Sequence, residues 1–212
     1  MPMTFPSHQG LIASLWRRWP GRFDVAALCV GAAMPDVVDG LVGIVRGHFS
    51  QGIGHSLLGL VLVCIPAGLL MRELVCRTAR RIVPSRHGGF VACMWNRAVA
   101  GFASGDATIG RYTVGSLAIG AFSHLLFDLV SHGHFPWLLP WVPKLAVYPD
   151  WWYDTWTRIP LPWHPDGHKI GPHVTMWVLL SVWGIWMLFS PAVRKWRTRT
   201  GKRPLRAMQE SR

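Results

Sequence analysis

Charged residues are spaced unevenly along this chain. None occurs from Gly47 to Met71 or from Ile170 to Val193, and from Tyr112 to Pro143 the only one is Asp128. Uncharged runs of this length cross a hydrocarbon layer of about 30 Å at about 1.5 Å of helix rise per residue. The pattern predicts four spanning helices, at roughly Val25–Val45, Ile53–Met71, Tyr112–His132 and His173–Val193. The first of them contains Pro35, Asp36 and Asp39. A fifth apolar stretch, Gly89–Ser104, is split by Arg97 and predicts an interfacial or half-buried helix, followed by a turn at Ser104-Gly105-Asp106. The expected fold class is all-α: a polytopic membrane helical bundle of about four transmembrane helices, or five if that stretch crosses. Residues 1–193 form the single integral-membrane domain, with an outer loop over 133–172 and a flexible basic cytoplasmic tail over 194–212.

Composition changes the meaning of the charge. The chain has 212 residues, a net charge of +12 and a hydrophobic fraction of 50%, which excludes intrinsic disorder. In a soluble protein this charge would point to nucleic acid. Here 18 of the 22 Lys and Arg fall on one side of the predicted spans, and Arg46, Lys144, Arg158 and Lys169 fall on the other. Basic residues collect on the cytoplasmic side, so the expected topology is N-in, C-in, in the cell (inner) membrane. The tail then faces anionic lipid and no nucleic-acid partner is expected. The loop between the third and fourth predicted spans carries six Trp between Trp137 and Trp163, with prolines throughout. Such a loop suits the headgroup layer, lying flat on it or forming a platform over a site below.

Cys29, Cys64, Cys76 and Cys93 have no C-x-x-C spacing and read as small buried hydrophobes. Arg17 and Arg18 interrupt the first apolar stretch, which therefore does not read as a signal peptide.

The acids inside the spans carry the chemistry. An ionised Asp near the bilayer centre costs about 2.5–3.5 kcal/mol on insertion scales, yet Asp36, Asp39 and Asp128 all lie in predicted spans. Eight of the ten histidines fall in the outer half or the outer loops under this topology, His55 and His124 among them. Carboxylates and imidazoles converging at one depth suit a divalent ion such as Zn²⁺ or Mn²⁺. His124 and Asp128 are four residues apart on one helix face and chelate one ion. His132 is too far along the axis to join them. Asp36 and Asp39 share a face beyond a proline that breaks the hydrogen-bond ladder, and Asp39 reads as a general base or as an orienter of a ligand. His164, His168 and His173 read as surface histidines. Gly31, Gly43, Gly115 and Gly120 read as helix-packing contacts.

The motifs also resemble a family of uncharacterised bacterial membrane proteins whose chains open Met-Pro-x-Thr and then Ser-His-Pro. The matching stretches are Met1-Pro2-Met3-Thr4, Ser7-His8, Ala33-Met34-Pro35-Asp36, Gly54-His55-Ser56-Leu57-Leu58-Gly59-Leu60 and Ser123-His124-Leu125-Leu126-Phe127-Asp128. The same order is similar to YdjM/YbcI-like inner-membrane metal-dependent hydrolases, with a looser likeness to the zinc-dependent phospholipase C and P1 nuclease group. Gln9 stands where a proline is usual, and His48 precedes His55 by a longer spacing than in YdjM-like chains. The resemblance implies His8 as a further ligand, although the N-in topology places it on the inner side unless its segment dips into the membrane.

These readings give an expected metal site of Asp36, His55, His124, Asp128 and His8, with Asp36 and Asp39 as catalytic carboxylates and zinc as the first choice of metal. The expected function is metal-dependent hydrolysis of a phosphoester or lipid-like substrate at the membrane, with membrane lipids as partners. The alternatives are a proton-linked transporter or carrier using the same Asp/His set, and a non-catalytic membrane scaffold.

Overall fold

The computed structural model describes residues 7–19, 21–48, 50–82, 90–103, 110–131, 136–142, 148–161, 164–187 and 189–190. The chain is mostly helical, and among these residues three helices are long and apolar enough to cross a membrane: Val25–Arg46, Leu57–Arg81 and Thr113–Val130.

The first helix, α1 (Ser7–Arg18), has 12 residues. That is about 18 Å of rise, too short to cross a bilayer. It lies against α2 (Val25–Arg46), where Ile12 packs with Leu28 and Ala32, flanked by Leu15, Trp16 and Phe23. Gly21, at φ 90°, makes the left-handed turn between the two helices. Asp24 caps α2 by accepting from the Ala27 N–H at 3.0 Å, and Gly47 ends it at φ 73°.

The second span starts late. Ile53–His55 is a 3₁₀ turn, and Ser56 caps the helix that follows by accepting from the Gly59 N–H at 2.9 Å. That helix begins as α3 (Leu57–Gly59), passes through a π-helical turn at Leu60–Cys64, and continues as α4 (Ile65–Arg81). The predicted Ile53–Met71 span is therefore shifted toward the C-terminus. The cap and not the start of the uncharged run sets its first turn. Phe90–Ala103 forms α5, a helix of 14 residues beside α4. The third predicted span is α6 (Thr113–Ser131). The fourth is helical over residues 172–187 (α7), and its predicted end at Val193 lies outside the described residues.

Helices α2 and α6 make the central contact of the bundle. A Cβ on Gly31 would collide with the Leu117 carbonyl, and one on Gly120 with the Leu28 carbonyl. Their absence lets the two backbones touch, the close approach that small residues give membrane helices. Gly115, by contrast, faces open space. Large apolar side chains cover the outside, with Ile44 69% exposed, Val45 87% and Leu70 77%. A surface of this kind suits lipid.

One end of the bundle is closed by charge. Arg72, fully buried on α4, donates to Asp24 Oδ2 from Nε at 3.0 Å and pairs with it through Nη2 at 2.7 Å. Thr113 Oγ1 donates to the same oxygen at 3.1 Å, and the Asp24 N–H donates to Ser116 Oγ at 3.0 Å. Arg72 also reaches Glu73 at 3.3 Å. This clasp joins the starts of α2 and α6 to the middle of α4, far from the start of its span at Leu57, so α2 and α6 run parallel and α4 runs against them.

The outer-loop region departs from an all-α fold. It contains a 3₁₀ turn at Asp150–Tyr153 and an antiparallel hairpin of β1 (Thr157–Leu161) and β2 (His164–Ile170), with an irregularity between Ile159 and Leu161. Two short strands with prolines in both left no run of alternating apolar residues to read. The turn at Ser104–Asp106, the basic tail and the sequence before Ser7 lie outside the described residues.

Candidate metal centre

The site lies at the end of the bundle away from the Arg72 clasp. Asp36 and Asp39 come from the second half of α2, His55 from the 3₁₀ turn, His124 and Asp128 from α6, and His8 from the first turn of α1. His8, His55, His124 and Asp128 are all buried.

Hydrogen bonds to the ring nitrogens fix the two central imidazoles. His124 Nδ1 lies 2.8 Å from the Ala32 carbonyl oxygen. A carbonyl only accepts, so Nδ1 carries a proton and Nε2 is the nitrogen left for a ligand. His55 Nδ1 lies 2.7 Å from Asp39 Oδ2, with the same consequence. The two Nε2 atoms face each other at 3.3 Å. Two ring nitrogens directed together in a buried site need a proton on one of them or a cation between them.

The carboxylates complete the set. Asp128 Oδ2 stands 3.3 Å from His55 Nε2 and 3.4 Å from His124 Nε2. Asp36 Oδ1 stands 3.6 Å from His55 Nε2 and 3.5 Å from His124 Nε2. Four donor atoms define six edges, and these five run from 3.3 to 3.6 Å. A tetrahedral zinc with bonds of about 2.0–2.1 Å has edges of about 3.3–3.4 Å. Two groups, Asp36 with His55 and His124 and His8 with His124 and Asp128, each bring one ligand atom per residue within 4.8 Å of one another, a spacing that could hold a divalent ion.

Asp39 does a different job. Its Oδ2 accepts from the Gly52 N–H at 2.6 Å and from His55 Nδ1, and its Oδ1 accepts from the Gly54 N–H at 2.8 Å. These donors hold the carboxylate behind the imidazole and turn the His55 ring, the usual support of a metal-bound histidine. Gly54 makes this possible, because a Cβ there would collide with the Pro35 carbonyl and stand 2.9 Å from Asp39 Oδ1. Pro35 also lacks the N–H that a helix would offer the Gly31 carbonyl, next to the Ala32 carbonyl that orients His124.

His8 enters because α1 folds back along α2. Its ring stacks on His124 with centroids 4.1 Å apart and an interplanar angle of 21°. Nε2 stands 3.5 Å from Asp128 Oδ1. Burial holds His8 below the ordinary imidazole value, against the opposing pull of the Asp128 carboxylate, so the ring is neutral and able to act as a ligand at pH 7. His8 reaches the centre because α1, too short to cross a bilayer, lies along α2 with its first turn at the His124 end.

The structure thus brings together all six sequence-predicted residues. His48 is exposed, and its Nδ1 lies 3.3 Å from the Arg46 carbonyl oxygen, away from the centre. His173 sits beside Tyr153 with Nδ1 3.3 Å from the Trp152 carbonyl. His132 and His134 lie outside the described residues, as do the side chains of His164 and His168. Two participants escaped the sequence reading. Gln51 Nε2 donates to Asp128 Oδ2 at 3.4 Å, and the Ala32 carbonyl orients His124. A backbone oxygen leaves no trace in a sequence, and Gln51 is one polar residue in a polar turn.

The fold and centre define a helical, membrane-type protein with a buried histidine–carboxylate cluster. Residues 1–152 match the family described as a domain of unknown function, DUF4184, and the chain belongs to that family. No curated protein and no solved structure matches it, so the YdjM-like resemblance has no named relative behind it.

Proposed function

We propose that this chain is a membrane-embedded, divalent-metal-dependent hydrolase acting on a phosphoester or lipid-like substrate at the outer leaflet of the inner membrane. One observation carries the reading. The Nε2 atoms of His55 and His124 are turned on each other at 3.3 Å by partners on their Nδ1 atoms, and two carboxylates close around them. Zinc suits two imidazoles and two carboxylates best, with manganese next. A divalent ion there supplies Lewis acidity and lowers the pKa of a nearby water.

The protein's own groups divide the remaining work. Asp128 has no exposed surface, whereas the Asp36 side chain is 34% exposed. Asp36 is therefore the carboxylate that accepts the proton from the attacking water, through the oxygen it does not turn on the imidazoles. As the water oxygen bonds to phosphorus, the bond to the leaving alcohol breaks with its electron pair, and Asp36 returns the proton to that oxygen. The Trp-rich region stands next to the site, since the Leu57 N–H donates to the Trp137 carbonyl at 3.0 Å. It receives the headgroup. The one-sided distribution of basic residues supports an N-in chain with this end of the bundle outward.

Elemental analysis of the purified chain, paired with phospholipid and phosphodiester turnover, tests the reading. Bound zinc or manganese is expected, lost together with turnover in Asp128→Ala and His124→Ala. Wild-type protein that binds neither metal after reconstitution would refute it. So would turnover unchanged in both variants.

A further inference from the structure

The two oxygens of Asp128 face different imidazoles. Oδ2 is shared by His55 and His124, at 3.3 and 3.4 Å, while Oδ1 faces His8 at 3.5 Å. His8 is only 2% exposed, and among the described residues neither of its ring nitrogens completes a hydrogen bond. Burying an imidazole that faces one carboxylate and completes no hydrogen bond is costly, of the order of 1–3 kcal/mol per polar group in protein mutational data. The 12-residue helix α1 nevertheless carries this ring into the centre and stacks it on a ligand.

The stacking decides what His8 is for. His124 has one nitrogen to give, because Nδ1 is committed to the Ala32 carbonyl. It cannot serve two ions. The ring stacked 4.1 Å from His124 belongs with His124 and Asp128 to a group of its own, beside the group of Asp36, His55 and His124. Two-metal hydrolytic centres hold their ions about 3.5–4 Å apart, and the stacking distance matches that spacing. A carboxylate with one oxygen toward each imidazole group is the bridge such a pair requires.

We propose that the centre is dinuclear. Asp36, His55, His124 and Asp128 Oδ2 hold the first ion, and Asp128 Oδ1 and His8 anchor a second. The second ion has two protein ligands, so its remaining positions go to water and to an oxygen of the substrate. That open sphere selects a phosphoester, whose non-bridging oxygens span two ions, over a carboxylic ester with a single carbonyl oxygen. The inference rests on the metal-centre reading above and sharpens its substrate class.

The test counts ions. Full-length protein in detergent is stripped with chelator, titrated with zinc alone and separated from free metal, and the bound zinc is measured. About two equivalents are expected for wild type and about one for both His8→Ala and His8→Gln. With manganese, wild type gives the electron paramagnetic resonance spectrum of a coupled pair and the His8 variants that of an isolated ion. No bound metal in wild type refutes the metal-centre reading itself. One equivalent in wild type, or two retained in folded His8 variants, refutes the dinuclear proposal and leaves the first ion standing. The wild-type count and spectrum decide the question even if a variant fails to fold.

Discussion

The bundle holds two polar clusters, one near each end of α2, and they handle buried charge in opposite ways. At the Asp24 end, Arg72 supplies the cation, and a threonine hydroxyl and backbone groups saturate what is left. At the Asp36 end, the acids meet neutral-capable imidazoles, backbone N–H groups and the Gln51 amide. A buried carboxylate beside a guanidinium is complete within the chain. On the proposed reading, three carboxylates gathered around histidines would take a cation from outside. The first cluster would then belong to folding, and the second to a bound ligand.

Breaking the first cluster has the largest expected effect. Arg72→Leu strands Asp24 in a buried site and costs about 3–5 kcal/mol, as removal of one partner of a buried pair does. The apo and metal-loaded proteins lose thermal stability equally. A loss seen only with metal bound would mean that the two clusters are one system.

The second cluster responds the other way. Asp128→Asn removes a buried negative charge, so the apo protein keeps or gains thermal stability while the stabilisation conferred by zinc disappears. Thermal melts with and without zinc check this. A large loss in the apo state would show that the site is complete without a cation.

Asp39→Asn gives an intermediate result. The amide no longer fixes the proton on His55 Nδ1, and metal affinity falls about 10–100-fold, the usual cost of losing a ligand's support. Zinc titration against a competing chelator measures it. If affinity falls as far as in Asp128→Ala, Asp39 is itself a ligand.

The smallest effect is expected at Ser56. Its Oγ accepts from the Gly59 N–H at 2.9 Å and donates to the Ile53 carbonyl at 2.8 Å. Ser56→Ala removes a helix cap worth about 1 kcal/mol and leaves zinc stoichiometry unchanged. A changed stoichiometry would mean that the cap sets the position of His55 as well as the start of the helix.

Much of this contrast was legible in the chain. The uncharged runs marked the second span and α6, and the apolar stretch around Asp36 and Asp39 marked α2, because a bilayer imposes a length and a composition together. Asp36, His55, His124 and Asp128 stood out because ionisable groups in such runs are costly. The clasp was not legible. Asp24 and Arg72 sit at the margins of apolar segments, where charged residues are ordinary, and their pairing depends on 48 residues of intervening chain. The late start of the second span was hidden for a related reason. Hydropathy does not distinguish a 3₁₀ turn from the helix after it, and only the hydroxyl of Ser56 separates them.

The position of α1 bears on how the protein is made. His8 leaves the ribosome well before the groups it meets, since His124 and Asp128 emerge more than a hundred residues later. Until α6 has inserted, His55 lacks two of the groups that face it, and α1 has only α2 to lie against. If the centre holds metal as proposed, its full ligand set would form only after α6 is in place, and a loaded chain would report completed assembly.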